Sequence, residues 1–173
     1  MLDNAQIPVI GFPAWSGAGK TTLLKQIIPL LNAKHLRIGI IKHTHHKFEI
    51  DIPGKDSYEL RHAGAQQTLI AGDKRWALIT ENEVAVEPDL NEMVGKLDQT
   101  ELDLILVEGF RDVAFPKIEI YRHALGKPPR YIDDQNMIAI ATDGELPQPT
   151  QLPLLDLNSP AQIADFIIHT FMN

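Results

Sequence analysis

The chain predicts an α/β fold with a mostly parallel central sheet and helices on both faces. Three observations lead there. Apolar strand-like runs alternate with helical stretches along the chain. Runs such as Leu104-Ile105-Leu106-Val107 are apolar without alternation, as in strands buried on both faces. A Gly-rich turn joins the first such run directly to a helical pattern.

Taken in order, Ile7 to Pro13 reads as the first strand and Ala14 to Thr22 as the turn. Leu23, Leu24, Ile27, Ile28, Leu30 and Leu31 recur at helical spacing and give one apolar face. Pro29 lies inside this pattern, so the helix should kink or lose its regular hydrogen bonding near Lys25. Arg37 to Lys42 is the next strand. It leads through the polar run His43-Thr44-His45-His46 to the turn at Pro53-Gly54. A helix follows over Lys55 to Ala63, with Asp56 or Ser57 near its start and Gly64 as its stop. Thr68–Ala71 and Trp76–Thr80 flank Gly72-Asp73-Lys74 and form an antiparallel hairpin portion. Pro88 to Leu97 is a short helix by the spacing of Leu90, Met93, Val94 and Leu97. Strands are then expected over Leu102–Val107, Lys117–Tyr121 and Met137–Ala141. Ser159 caps a last helix, with Pro160 in its first turn and its end near Thr170. No repeat, low-complexity segment or long linker divides the chain, so residues 1–173 read as one nucleotide-binding domain.

The turn carries the chemistry. Ala14-Trp15-Ser16-Gly17-Ala18-Gly19-Lys20-Thr21-Thr22, between a strand and a helix, has the parts of a phosphate-binding P-loop. Glycines let several backbone N–H groups turn inward. The following helix adds roughly half a positive charge at its N-terminus. Lys20 can reach the outer phosphates of a nucleotide and the Thr21 hydroxyl can ligate Mg²⁺. Ala14 stands where this pattern usually has Gly, which is tolerable if that residue keeps a negative φ. The fold class is therefore that of a P-loop NTPase.

Composition removes several other classes. The length of 173 residues suits a domain that buries roughly 70% of its unfolded surface. A net charge of -7 argues against sequence-independent nucleic-acid binding, which needs a cationic surface. Cysteine is absent, which removes disulfides, thiolate catalysis and Cys-based metal sites. No apolar run approaches the ~18 residues of a membrane span, and the first residues lack a secretory leader. The expectation is a cytoplasmic protein, with no membrane and no nucleic acid among its partners.

Ligands of parallel sheets lie beyond the carboxyl ends of the strands. Glu108 ends the most apolar strand, where P-loop proteins keep an acid that holds Mg²⁺ or orients water. The competing reading is a solvated strand end. Lys42, His43, Thr44, His45 and His46 face the same end, but the three His lack the spacing of a known zinc motif. Asp51 and Asp56, further along this loop, are weaker Mg²⁺ candidates. Asp143 follows the strand Met137–Ala141. A carboxylate there could accept from guanine N1–H and its amine, or could simply form a turn before Gly144.

The P-loop AWSGAGKTTLL, the loop IKHTHH, the segments PGKDSYELRHAGA and KRWAL, and the strand end DLILVEGF together resemble the molybdopterin-guanine dinucleotide biosynthesis protein B (MobB) family. The resemblance spans nearly the whole chain. It implies a homodimeric protein that binds GTP with Mg²⁺ and hydrolyses it slowly. It further implies an accessory role beside a MobA-type guanylyltransferase that joins GMP to molybdopterin. Carried onto this sequence, it makes Gly17, Ala18, Gly19, Lys20, Thr21 and Thr22 the phosphate cradle, with Trp15 and Ser16 beside them, and Glu108 the acid. Some relatives in the wider class place a Lys where Trp15 stands, so no cross-subunit site built on that Lys is expected. Two alternatives remain. A small-molecule kinase would suit a P-loop, although Arg111, Arg122 and Arg130 are scattered rather than gathered in a lid. A metal-insertion GTPase is motivated by His43, His45 and His46.

Overall fold

The computed structural model describes residues 2–44 and 48–172. Six strands form one parallel sheet: β1 (Val9–Gly11), β2 (Ile38–Lys42), β5 (Leu104–Glu108), β6 (Lys117–Tyr121), β7 (Met137–Thr142) and β8 (Leu154–Asp156). Between β2 and β5 in sequence come β3 (Gln67–Ala71) and β4 (Trp76–Thr80), an antiparallel pair of their own. The six strands lie in the order β2-β5-β1-β6-β7-β8. The chain thus builds to one side of β1 first and to the other side afterwards. That reversal opens a crevice at the carboxyl end of β1, where α/β sheets bind ligands.

Alternation along the strands divides the core. Ile10, Phe12, Leu104, Leu106, Ile118 and Ile120 face helices α1 (Lys20–Asn32) and α4 (Pro160–Phe171). These helices meet the sheet through Leu23, Leu24, Ile27 and Leu31 and through Ile163, Ala164 and Ile167, all buried. Val9, Ile41, Ile105 and Val107 face the other way, against Leu90 and Val94 of the short helix α3 (Leu90–Val94). Asp89 caps α3 by accepting the Glu92 N–H at 2.9 Å. Removing a fully buried aliphatic chain such as Ile27 from this core costs on the order of 2–5 kcal/mol.

Three local expectations are modified. Helix α1 runs through Pro29 to Asn32, because the one bond Pro29 cannot donate falls in the last turn. Ser159 stands at the N-cap of α4, yet its side chain makes no cap bond; its backbone N–H instead donates to Asp156 at 2.9 Å. Strand β8 has no counterpart in the sequence reading.

By contacts the chain forms two compact units, Met1–His43 with Asp89–Asn173, and Thr44–Pro88. The single-domain expectation draws no boundary at either place. The second unit holds helix α2 (Asp56–His62) and the β3–β4 hairpin. None of its described residues is buried. On one face of the hairpin Leu69 pairs Leu78 and Ala71 pairs Trp76, and Leu69, Trp76 and Leu78 are all more than half exposed. Within this unit Arg61 bridges Glu49 and Glu81, and His62 Nδ1 lies 2.9 Å from the Tyr58 carbonyl. Among the described residues no helix is long and apolar enough to cross a membrane.

Candidate functional site

The phosphate loop leaves β1 beside β5 and β6, the strands that flank it. Phe12 N–H donates to Val107 at 3.0 Å, and Ala14 bridges Ile120, so the sheet holds both ends of the approach. Gly17 and Gly19 have φ of 83° and 90°, a region that a side chain strongly disfavours. Ala14 is not among the residues with positive φ, which explains why Ala serves where Gly is usual. The Ala18 N–H closes the loop onto the Trp15 carbonyl at 3.1 Å, and the Gly19 carbonyl accepts the first helical bond from Leu23 at 2.9 Å. Lys20 then opens α1. The free N–H groups of its first turn and the end of its dipole are gathered at one point.

Glu108 ends β5 opposite Lys42 of β2. Its Oε1 lies 3.1 Å from Lys20 Nζ and 3.7 Å from Lys42 Nζ. The acid therefore sits among two ammonium groups at the mouth of the loop rather than as a solvated strand end. Beyond it the chain turns sharply. Gly109 has φ 99°, and a Cβ there would meet His43 Cβ at 2.5 Å. Phe110 stacks on the His43 ring at 4.7 Å, tying the end of β5 to the end of β2. The Thr21 hydroxyl and the Glu108 carboxylate are hard oxygen donors of the kind Mg²⁺ prefers, so the residues present fit that ion.

Arg122, one of three arginines that look scattered in the sequence, reaches the phosphate loop. It follows β6 directly, and its Nε donates to the Ala18 carbonyl of the phosphate loop at 3.1 Å. Its Nη1 donates to Asp143 Oδ2 at 2.7 Å, while Asp143 Oδ1 accepts the His123 N–H at 2.9 Å. Both oxygens of Asp143 thus already hold donors. The carboxylate expected to read a guanine edge instead holds Arg122 against the loop, and would have to share these bonds to reach a base. The signal was available: Arg122 stands at a strand end, as Glu108 does. Gly17, Gly19, Thr22, Gln26, Arg122 and Asn158 line a cavity of about 410 Å³ on this side of the loop.

Trp15 is held on one edge, its indole Nε1 donating to the Pro128 carbonyl at 2.7 Å. Asp51 lies in the second unit, where Oδ1 accepts the Ile52 N–H at 2.8 Å. The nearby Ser57 hydroxyl, and then that backbone bond, hold its carboxyl below the usual range. His45 and His46 lie outside the described residues. Among the described residues no three His, Cys, Asp or Glu side chains gather as a metal-ion cluster.

A parallel sheet with this glycine turn, lysine and strand-end acid defines a protein of the P-loop NTPase fold type. The family model for molybdopterin guanine dinucleotide synthesis protein B, MobB, matches residues 9–143. The chain belongs to the MobB family. It is 47% identical over 169 residues to the molybdopterin-guanine dinucleotide biosynthesis adapter protein of Escherichia coli K12, covering 97% of this chain and 95% of that one. It is 44% identical over 164 residues to the protein of the same name from Haemophilus influenzae, covering 95% and 89%. The crystal structure of Bacillus subtilis MobB shares the fold with a TM-score of 0.74 at 24% identity, over 95% of this chain and 98% of that one.

Proposed function

We propose that this chain is an adapter that binds GTP with Mg²⁺ and assists a guanylyltransferase in attaching GMP to molybdopterin. The observation that carries the nucleotide part is the placement of Lys20, 3.1 Å from Glu108, at the mouth of a glycine turn that ends in a helix N-terminus. Without phosphate, the Lys20 ammonium has Glu108 as its partner. A triphosphate offers it a stronger one, and Glu108 is then released toward metal or water. Thr21 and Glu108 would hold the ion, which supplies charge neutralisation on the phosphates when bound. Arg122 keeps the loop in shape from outside.

The accessory part of the reading rests on family membership and on the names of the two bacterial relatives. The stacking of Phe110 on His43 and the pairing of β2 with β5 link two strand ends beside the glycine turn, where bound nucleotide can bias an arrangement that a partner senses. Turnover can then be slow, well under one per second. The exposed apolar face of the β3–β4 hairpin supports a homodimer. The adapter role is tested by reconstituting a molybdoenzyme with the guanylyltransferase, with and without this protein. Added protein should raise the yield of guanylylated cofactor and Lys20→Ala should lose that gain. Radiolabel from γ-labelled GTP appearing stoichiometrically on a pterin would instead establish a kinase.

A further inference from the structure

A second cavity, of about 580 Å³, has Trp15 in its wall, and nothing in the nucleotide reading uses it. Its volume falls within the ~300–1,000 Å³ typical of small-molecule pockets. Its construction is unusual for a simple loop closure. The Lys117 ammonium, on a residue 1% exposed, donates to the Arg111 carbonyl at 2.8 Å and to Asp134 Oδ2 at 2.6 Å. Asp134 Oδ1 accepts from both Asn136 N and Asn136 Nδ2, at 2.9 and 2.7 Å. Glu119, also 1% exposed, accepts the backbone N–H groups of Arg130 and Tyr131 at 2.8 and 2.7 Å. Burying so many ionised groups is costly unless each is paired, and an apolar floor would have closed the loop more simply. The network holds the segment from Arg130 to Asn136 as a polar wall.

On that wall the Arg130 guanidinium lies 4.5 Å from the Trp15 ring centroid, and its Nε is buried with no hydrogen-bond partner. Arg111, Asp133 and Gln135 also line the cavity. The charges of the lining balance, with Arg111, Lys117 and Arg130 against Asp112, Asp133 and Asp134. A flat, uncharged ring with donors on one edge and acceptors on another suits such a lining better than a bare anion. A carboxylate can accept from a ring N–H and the neighbouring exocyclic amine, while guanidinium and amide N–H groups can donate to a ring carbonyl.

We propose that this cavity binds a 2-amino-4-oxopyrimidine ring, the unit common to pterins and guanine, with Asp133 on the amine edge and Arg130 on the carbonyl. The proposal rests on the reading above, because the dinucleotide that names the family joins a pterin to guanine. Trp15 then belongs to two sites at once, as part of the phosphate loop and as the wall of the ring pocket.

Equilibrium dialysis of the full chain against pterin, lumazine and GMP tests it. Lumazine carries a second carbonyl in place of the amine. The GMP arm is run on Lys20→Ala, so that binding through the phosphate loop does not contribute. Pterin should bind saturably and at least tenfold more tightly than lumazine. Asp133→Asn should remove that preference, Asp133→Glu should keep most of it, and Arg130→Gln should weaken pterin about tenfold. Asp133 is exposed, so its variants should melt as wild type does. Lys20→Ala should leave pterin binding unchanged, which separates failure of this site from failure of the nucleotide site. GMP bound with the same dependence on Asp133, in place of pterin, would keep the ring class and make guanine the source. Absence of saturable binding by either, equal affinity for lumazine and pterin, or indifference to Asp133→Asn and Arg130→Gln would overturn the proposal.

Discussion

Replacing Arg122 should loosen the phosphate loop while leaving the sheet intact. Its guanidinium makes two bonds at once, to the Ala18 carbonyl at 3.1 Å and to Asp143 at 2.7 Å. The side chains of the pair are 33% and 16% exposed, so each bond is partly screened and contributes about 1 kcal/mol rather than the larger value of a buried charged bond. Lys at this position can satisfy one partner but not both, because it lacks the planar fork. Arg122→Lys should therefore weaken GTP binding about fivefold, and Arg122→Ala, losing both bonds, about thirtyfold. Asp143→Asn should fall between them, since one amide oxygen must serve both Arg122 and the His123 N–H. Calorimetric titration with GTP and Mg²⁺ measures these losses, and thermal melts check that the fold survives. An Arg122→Ala protein with wild-type affinity would refute the idea that this residue shapes the loop.

Three further outcomes are expected. Glu108→Gln should retain nucleotide but lose most of any hydrolysis, measured by phosphate release; undiminished turnover would remove the acid from the site. Burial pushes the Glu119 carboxyl above its ordinary value, against the two backbone N–H bonds that pull it down. Its folded-state pKa thus exceeds the unfolded one, so its contribution is fully present below the unfolded value and is lost as pH rises through the folded value. Denaturant melts across that interval should show stability falling with pH, a slope absent in Glu119→Gln; an unchanged slope would show that other groups set it. Trp76→Asp with Leu78→Asp, on the exposed hairpin face, should shift a dimer toward monomer in sedimentation velocity. A dimer that survives both changes must use another surface.

What the sequence made legible is what is local. The P-loop, Lys20 and Glu108 lie in strand–turn–helix and strand–turn units whose geometry follows from spacing over a few residues. The hairpin was legible for the same reason, since two strand-like apolar runs flank the short Gly-containing connection Gly72-Asp73-Lys74. Strand β8 was not, because its three residues carry no alternation and follow a Pro-rich stretch; only pairing with β7 makes it a strand. Arg122 and Arg130 looked scattered along the chain. Parallel crossovers bring Arg122 to Ala18 across 104 residues, and Arg130 comes over Trp15 through the segment between β6 and β7. Asp143 was placed correctly at a strand end, but which partner its oxygens take depends on the position of Arg122, which no local pattern encodes.

The proposed adapter role depends on nucleotide entering the phosphate loop, and a calorimetric titration of GTP and ATP with Mg²⁺ into the intact protein tests this with the fewest assumptions. GTP should bind saturably at one site per chain and more tightly than ATP. Lys20→Ala should abolish the heat, and omission of Mg²⁺ or Thr21→Ala should weaken it. Binding that is absent in wild type, or that persists unchanged in Lys20→Ala, would contradict a nucleotide site at Lys20 and Glu108; equal affinity for ATP would contradict the guanine preference.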